Sequence, residues 1–173
     1  FFNLPQQKVY LNAYTGLYME VLDSVMMSHD KRIDFNTQLE KGMYQIETEY
    51  GFAFDFLYEN DDVKFVLKDI NRLEEIEFID SQINTDWYRY LSFKEQTMNS
   101  QDLLKPILRS YDKKSEFYLN AKNEYQKLQE SFVAFTDSLL KNNNYASTLI
   151  RVDRFAPLNL ELDFQKQRNE LIA

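Results

Sequence analysis

The chain has 173 residues with 28 acidic and 20 basic side chains, a formal charge of −8 that argues against a nucleic-acid partner, since such binding rests on cations neutralising phosphates. A hydrophobic fraction of 44% at this length suits one globular domain or two small ones. The absence of cysteine excludes disulfides, thiolate metal sites and CxxC redox chemistry from this chain, and three scattered glycines cannot write a phosphate-cradling GxGxxG loop.

Up to about residue 80 apolar residues recur with period 2, which gives an extended segment one buried and one wetter face. Val9, Leu11 and Ala13 alternate with polar neighbours, and so do Ile33 and Phe35, then Tyr44, Ile46 and Thr48. The same pattern returns at Phe52, Phe54, Phe56 and Tyr58, at Val63, Phe65 and Leu67, and at Ile76 and Phe78. The run Leu17–Met27 is longer and apolar on both faces, which predicts a central strand or one that bends between two sheets. Tyr14-Thr15-Gly16, Ser28-His29-Asp30-Lys31 and Asn60-Asp61 supply turn residues between these runs. Seven strands at such short spacing predict an antiparallel sandwich or barrel-like sheet pair with a meander-rich order.

Beyond residue 80 the period becomes helical. A first helix is expected from about Thr85-Asp86, with Trp87, Tyr90, Leu91 and Met98 on one face, and Pro106 is expected to kink or split the stretch between Leu104 and Leu108. The clearest helix spans residues 115–141, where Phe117, Ala121, Tyr125, Leu128, Phe132, Phe135 and Leu139 form a stripe opposite Lys122, Glu124, Lys127, Glu130 and Asp137. Asn142-Asn143-Asn144 tolerates the left-handed backbone that ends it, and a third helix runs from Tyr145 to Arg154, before Pro157. No run is long and apolar enough to predict a transmembrane segment. The expected class is therefore α+β: an antiparallel β-sandwich-like N-terminal half, residues 1–80, then a helical half, residues 81–173, with one long amphipathic helix. Charge divides at the same place, with 16 acids against 7 bases before the boundary and 12 against 13 after it.

The order of these elements carries a resemblance. Asn3-Leu4-Pro5 through Val9-Tyr10-Leu11, Leu22-Asp23-Ser24, Gly42-Met43-Tyr44-Gln45-Ile46 and the aromatic run Phe52–Tyr58 come in sequence. Ser81 to Asn84 at the helix start, Leu103-Leu104-Lys105-Pro106-Ile107 and Asp137-Ser138-Leu139 follow. In these features the chain resembles the N-terminal region of Bacteroidetes-type exported thioredoxin-like lipoproteins of the thiol–disulfide oxidoreductase class. There a β-rich domain of unknown function and a helical segment precede a thioredoxin-fold domain. The chain departs from that pattern at Ser28-His29-Asp30-Lys31, where a glycine turn is usual, and it holds no CxxC. The resemblance implies a non-catalytic accessory module that positions or regulates a downstream redox domain, in the periplasm or cell envelope. Both ends read as cuts. The apolar tail Leu158–Ala173 is expected to meet the downstream domain, or a second copy of the chain in its absence.

Few residues invite chemistry. His29 is the single histidine, so any triad or imidazole-ligated metal must use it, yet its polar surroundings predict an exposed turn. Acids cluster at Glu47-Glu49, Asp61-Asp62 and Glu74-Glu75-Glu77-Asp80; acid–base work needs two carboxyls at a fixed separation, and solvated faces account for these more simply. The D-x-[DN]-x-[DN]-G calcium template is missing. No catalytic residue, cofactor or metal is expected. Aromatics are the better candidates, because they present large area at low entropic cost. Tyr10, Tyr14, Tyr18, Trp87 and Tyr88 form the expected binding surface, which makes capture of a glycan or peptide by the β half the alternative function.

Overall fold

The computed structural model describes residues 6–16, 18–67 and 76–157. Six strands precede three helices: β1 Lys8–Thr15, β2 Tyr18–Met26, β3 Gly42–Thr48, β4 Ala53–Tyr58, β5 Lys64–Leu67, β6 Ile76–Ile79, α1 Gln82–Ser110, α2 Glu116–Leu140 and α3 Tyr145–Asp153. The fold is α+β, with the change of period at residue 80 marking the passage from β6 to α1. By compactness the chain divides between Tyr88 and Arg89, inside α1, so the first two turns of that helix belong with the strands.

In the first unit β1 to β4 make an antiparallel sheet of order β2-β1-β3-β4, and β5 pairs with β6 in a second sheet. The hydrophobic alternation places Val9, Leu11, Tyr44, Ile46, Phe54 and Phe56 on one face of the larger sheet, where they form the core. Phe65, Ile76 and Phe78 of the small sheet pack against it, and the Phe54 and Phe65 rings meet edge-on at 4.8 Å between centroids. Turns fall where left-handed residues are available: Gly16 at φ 64° ends β1, Gly51 at φ 83° joins β3 to β4, and Asn60 at φ 72° follows β4.

Three strand expectations are corrected. Residues 32–40 form no strand, although Ile33, Phe35 and Leu39 do lean on the core; alternation reports an extended, half-buried segment, and a ladder needs a partner besides. The order is no simple meander, because β3 pairs with β1 and leaves β2 at the rim. And β2, expected at the centre, is an edge strand. Nor does it pass between two sheets: it stays in the larger one, and its irregularity is a β-bulge, where Leu11 faces Asp23 and Asn12 faces Val21, leaving Leu22 as the extra residue.

The opposite rim, β4, is closed by the start of α1. The Ser81 carbonyl accepts the first helical bond from the Thr85 amide at 3.0 Å, so the helix begins three residues earlier than the Thr85-Asp86 expectation. One turn in, the buried Asn84 amide imitates a strand residue: its Oδ1 accepts from the Leu57 N–H at 2.7 Å and its Nδ2 donates to the Leu57 carbonyl at 2.8 Å. A turn later Tyr88 donates its hydroxyl to the Asp55 carbonyl at 2.8 Å. Two side chains thereby meet three outward backbone groups of β4, the Leu57 N–H and C=O and the Asp55 C=O.

In the second unit α2 buries Tyr118, Ala121, Tyr125, Gln129, Phe132, Thr136 and Leu139. The stripe is rotated slightly from the expected one, with Phe117 half exposed and Tyr118 inside. Ser115 caps α2 by accepting from the Tyr118 amide, and Asn144 caps α3 in a reciprocal box with Ser147. Asn143 takes the left-handed conformation at φ 47° between them. Helix α1 runs through Pro106 unsplit, because Leu104, Ile107 and Leu108 around it pack against Tyr118, Ala121 and Tyr125. On the same helix Trp87 and Tyr90 are buried as expected, whereas Leu91 and Met98 are exposed and Thr97 and Gln101 take the inward positions. Tail residues 158–173 lie outside the described residues.

Candidate functional site

The β1–β2 hairpin sets the candidate site, since it holds three of the five expected aromatics. Register fixes which side each presents. On β1 Tyr10, Asn12 and Tyr14 occupy the face opposite the core, across from Glu47 and Gln45 of β3 on one side and Ser24, Val21 and Met19 of β2 on the other. Tyr14 donates its hydroxyl to Asp55 Oδ1 at 2.7 Å, and Gln45 Nε2 donates to that same oxygen at 3.0 Å and to the Tyr14 hydroxyl at 3.2 Å. Asn12 Nδ2 donates to Glu47 Oε2 at 2.9 Å, and the Lys8 ammonium lies 5.4 Å from the Tyr10 ring centre. Partial burial, with the Asp55 hydrogen bond and charge adding to it, pushes the Tyr14 phenol up to about 12. Its proton is therefore held at any physiological pH. This face offers aromatic area and polar groups already engaged with one another, which is a surface for contact and lacks a group poised for proton transfer.

The five expected aromatics do not converge. Tyr10 and Tyr14 share the outer face, while Tyr18, 79% exposed, starts β2 on the opposite face, paired with Thr15. Trp87 is buried, and Tyr88 is structural: its hydroxyl serves the β4 rim, its ring lies 5.1 Å from that of Phe78, and burial raises its phenol, with the Asp55 charge contributing. The five thus form no single platform: Tyr10 and Tyr14 share one face, Trp87 is inside, and Tyr88 is engaged at the β4 rim.

His29 is exposed in the loop 28–32, which is closed by bonds between Ser28 and Arg32. Next to it the hydrogen bond from Ser28, opposed by burial and aided by the Arg32 charge, holds the Asp30 carboxyl below the usual range. Of the carboxylate clusters, Glu47 accepts from Asn12, Glu49 accepts from the Lys8 amide at 3.3 Å, and Asp61 and Asp62 are exposed; Glu74 and Glu75 lie outside the described residues. Among the described residues no group of three or more His, Cys, Asp or Glu side chains could hold a metal ion. None of their helices is long and apolar enough to cross a membrane.

What sequence reasoning missed is the character of β2. Met19, Val21, Leu22 and Met26 are exposed on the rim of the sheet, and among the described residues no strand pairs with the outer side of β2. A run apolar on both faces fits a central strand and an interaction edge equally well; only the pairing order distinguishes them. A second polar cluster, also unanticipated, belongs to the helical unit: Asp153 accepts from Tyr90 at 2.8 Å and from Lys94 at 2.6 Å, tying α3 to α1.

No family model matches the chain, and no curated protein or solved structure matches it either.

Proposed function

We propose that the chain is a non-catalytic binding module, an accessory part of an exported protein that acts by holding a partner. The observation that supports this most directly is β2: an edge strand with whose outer side no described strand pairs, carrying exposed Met19, Val21 and Met26 on one face, Val21 at 59%. Exposed apolar edges are a hazard that proteins ordinarily blunt, so one left open is best explained by use. The groups that chemistry would need speak the same way. The Tyr14 proton is locked, Asp55 is shared by two donors, and His29 is exposed in a turn whose Ser28 hydroxyl is engaged with Asp30 and Arg32. On the resemblance to thioredoxin-like lipoproteins the module would serve a downstream redox domain in the periplasm or cell envelope.

The test is site-specific photo-crosslinking in cells. A photoreactive amino acid at Val21 should form a discrete adduct, and the same amino acid at Tyr50, which is exposed in the turn after β3, should form none. Equal labelling at both positions, or none at either, removes the reading.

A further inference from the structure

We infer that β2 accepts an extended peptide as an added strand, and that the peptide recognised alternates apolar with cationic residues. This rests on the reading that the module works by binding. Register sorts the side chains of β2 by face. Met19, Val21, Ser24 and Met26 pair with Tyr14, Asn12, Tyr10 and Lys8 and lie on the outer face. Glu20 and Asp23 pair with Ala13 and Leu11 and lie together on the other, two β1 positions apart. The outer face of the rim is thus apolar but for Ser24, and the core-side face carries the two carboxylates between Tyr18 and Val25.

Asp23 is held in its charged form. Hydrogen bonds from the Thr37 hydroxyl at 2.6 Å and the Ser24 amide at 2.7 Å hold the Asp23 carboxyl below the usual range, and both leave it in place. Glu20 is exposed and has no hydrogen bond or ion pair among the described residues. β2 contains no Lys, Arg or Pro, the residues that most often guard an edge. A strand laid along this rim gains backbone bonds from the unpaired side of β2, and its side chains alternate faces with the same period. Apolar residues then meet Met19, Val21 and Met26, while Lys or Arg at every second position meets Glu20 and Asp23.

A second copy of the chain fits poorly. Two β2 strands paired antiparallel with their apolar faces on one side put both Glu20 and both Asp23 side chains on the other, four carboxylates with no cation among them. The surplus of acids over residues 1–80, 16 against 7 bases, adds to that repulsion and to the attraction of a basic strand.

The experiment uses capped, fluorescein-labelled synthetic peptides of alternating Lys and Val, titrated against the chain by anisotropy, with amide exchange followed over residues 18–26. The Lys/Val peptide is expected to bind and to slow exchange there, and an alternating Glu/Val peptide to bind at least about tenfold more weakly. Two further Lys/Val peptides carry N-methyl groups on alternate residues, one on the odd and one on the even positions. One of them should lose about tenfold or more, because it lacks the ladder donors, and the other should bind like the parent. Glu20→Lys should weaken the Lys/Val peptide about fivefold. If both N-methyl peptides bind like the parent, strand addition is wrong while a binding role for β2 stands. No binding of any peptide, or a concentration-dependent dimer with protected β2 amides in place of peptide binding, also overturns the inference. The Val21 crosslinking result remains the separate judge of the binding-module reading.

Discussion

Replacing Asn84 should be among the most damaging single changes in the strand-rich unit, although the residue sits in a helix and touches no ligand. Its amide supplies both hydrogen bonds that Leu57 would receive from a further strand, at 2.7 and 2.8 Å, and Leu57 is 0% exposed. In Asn84→Ala the Leu57 N–H and C=O lose their partners where water cannot replace them. Each unsatisfied buried group costs about 1–3 kcal/mol, so the expected loss for the two is about 2–6 kcal/mol. Trp87, the only tryptophan and three residues along the same helix, gives the signal: urea unfolding followed by its fluorescence should show a lower midpoint at similar slope. Asn84→Asp separates bonding from packing. Its carboxylate accepts from the Leu57 N–H but meets the Leu57 carbonyl lone pairs, whereas the protonated acid can donate to that carbonyl. The folded-state pKa is then raised above the unfolded value of about 4. Its stability is therefore fully present below about pH 4 and is lost as pH rises through the folded pKa. An Asn84→Ala protein within about 0.5 kcal/mol of the parent, or an Asn84→Asp protein with no such trend, would refute the claim that one side chain stands in for a strand.

Other consequences are more local. Pro106 is exposed inside α1 and withholds an amide from the carbonyl four residues back, so Pro106→Ala should raise the stability of the helical unit by about 1–3 kcal/mol in a thermal melt; a lower stability would show that the proline geometry is needed for packing. Ser115→Ala removes the acceptor for the Tyr118 amide and should cost about 1 kcal/mol, read as earlier loss of helical circular dichroism. Burial works against ionisation of Asp153, but hydrogen bonds from Lys94 and Tyr90 and the Lys94 charge outweigh it and hold the carboxyl below its ordinary value. That contribution is present above about pH 4 and is lost as pH falls through the folded pKa, so the stability gap between parent and Asp153→Asn should close on acidification. A gap constant from pH 7 down to the acid transition would show that the Lys94 pair contributes nothing.

Much of this architecture was legible because periodicity is a direct image of burial. Val9 and Leu11, Tyr44 and Ile46, Phe54 and Phe56 are inside where period 2 puts them, and Ala121, Tyr125, Phe132 and Leu139 are inside where period 3.6 puts them. The pattern fails where a position is decided by something other than burial. Ile33 and Phe35 alternate like a strand but form no ladder among the described residues, since backbone pairing leaves no trace in side-chain hydropathy. Thr97, Gln101 and Gln129 occupy inward helical positions that apolar residues were expected to fill, because a packing face is a matter of angle and admits polar residues where the geometry leaves room.

The candidate site was less legible, and the reason is specific. Tyr88 and Trp87 were chosen for their chemical type, but Tyr88 is spent on the β4 rim and Trp87 on the interior, roles that depend on which strand lies at the edge. The same missing knowledge concealed the surface that matters more. Strand order assigns one rim to β4, which Asn84 and Tyr88 satisfy, and the other to β2, which the described chain does not. The two rims pose one physical problem, unpaired backbone beside apolar side chains, and among the described residues only the β4 rim is met from within. A sequence selected merely to stay soluble could have placed a lysine or proline in Tyr18–Met26, as edge strands commonly do; instead it keeps five aliphatic residues and a tyrosine there, with two acids on a single face. That combination discourages self-pairing by like charge while leaving the ladder open to a strand of opposite charge, which is why the unguarded rim is read as a recognition surface and not as a defect.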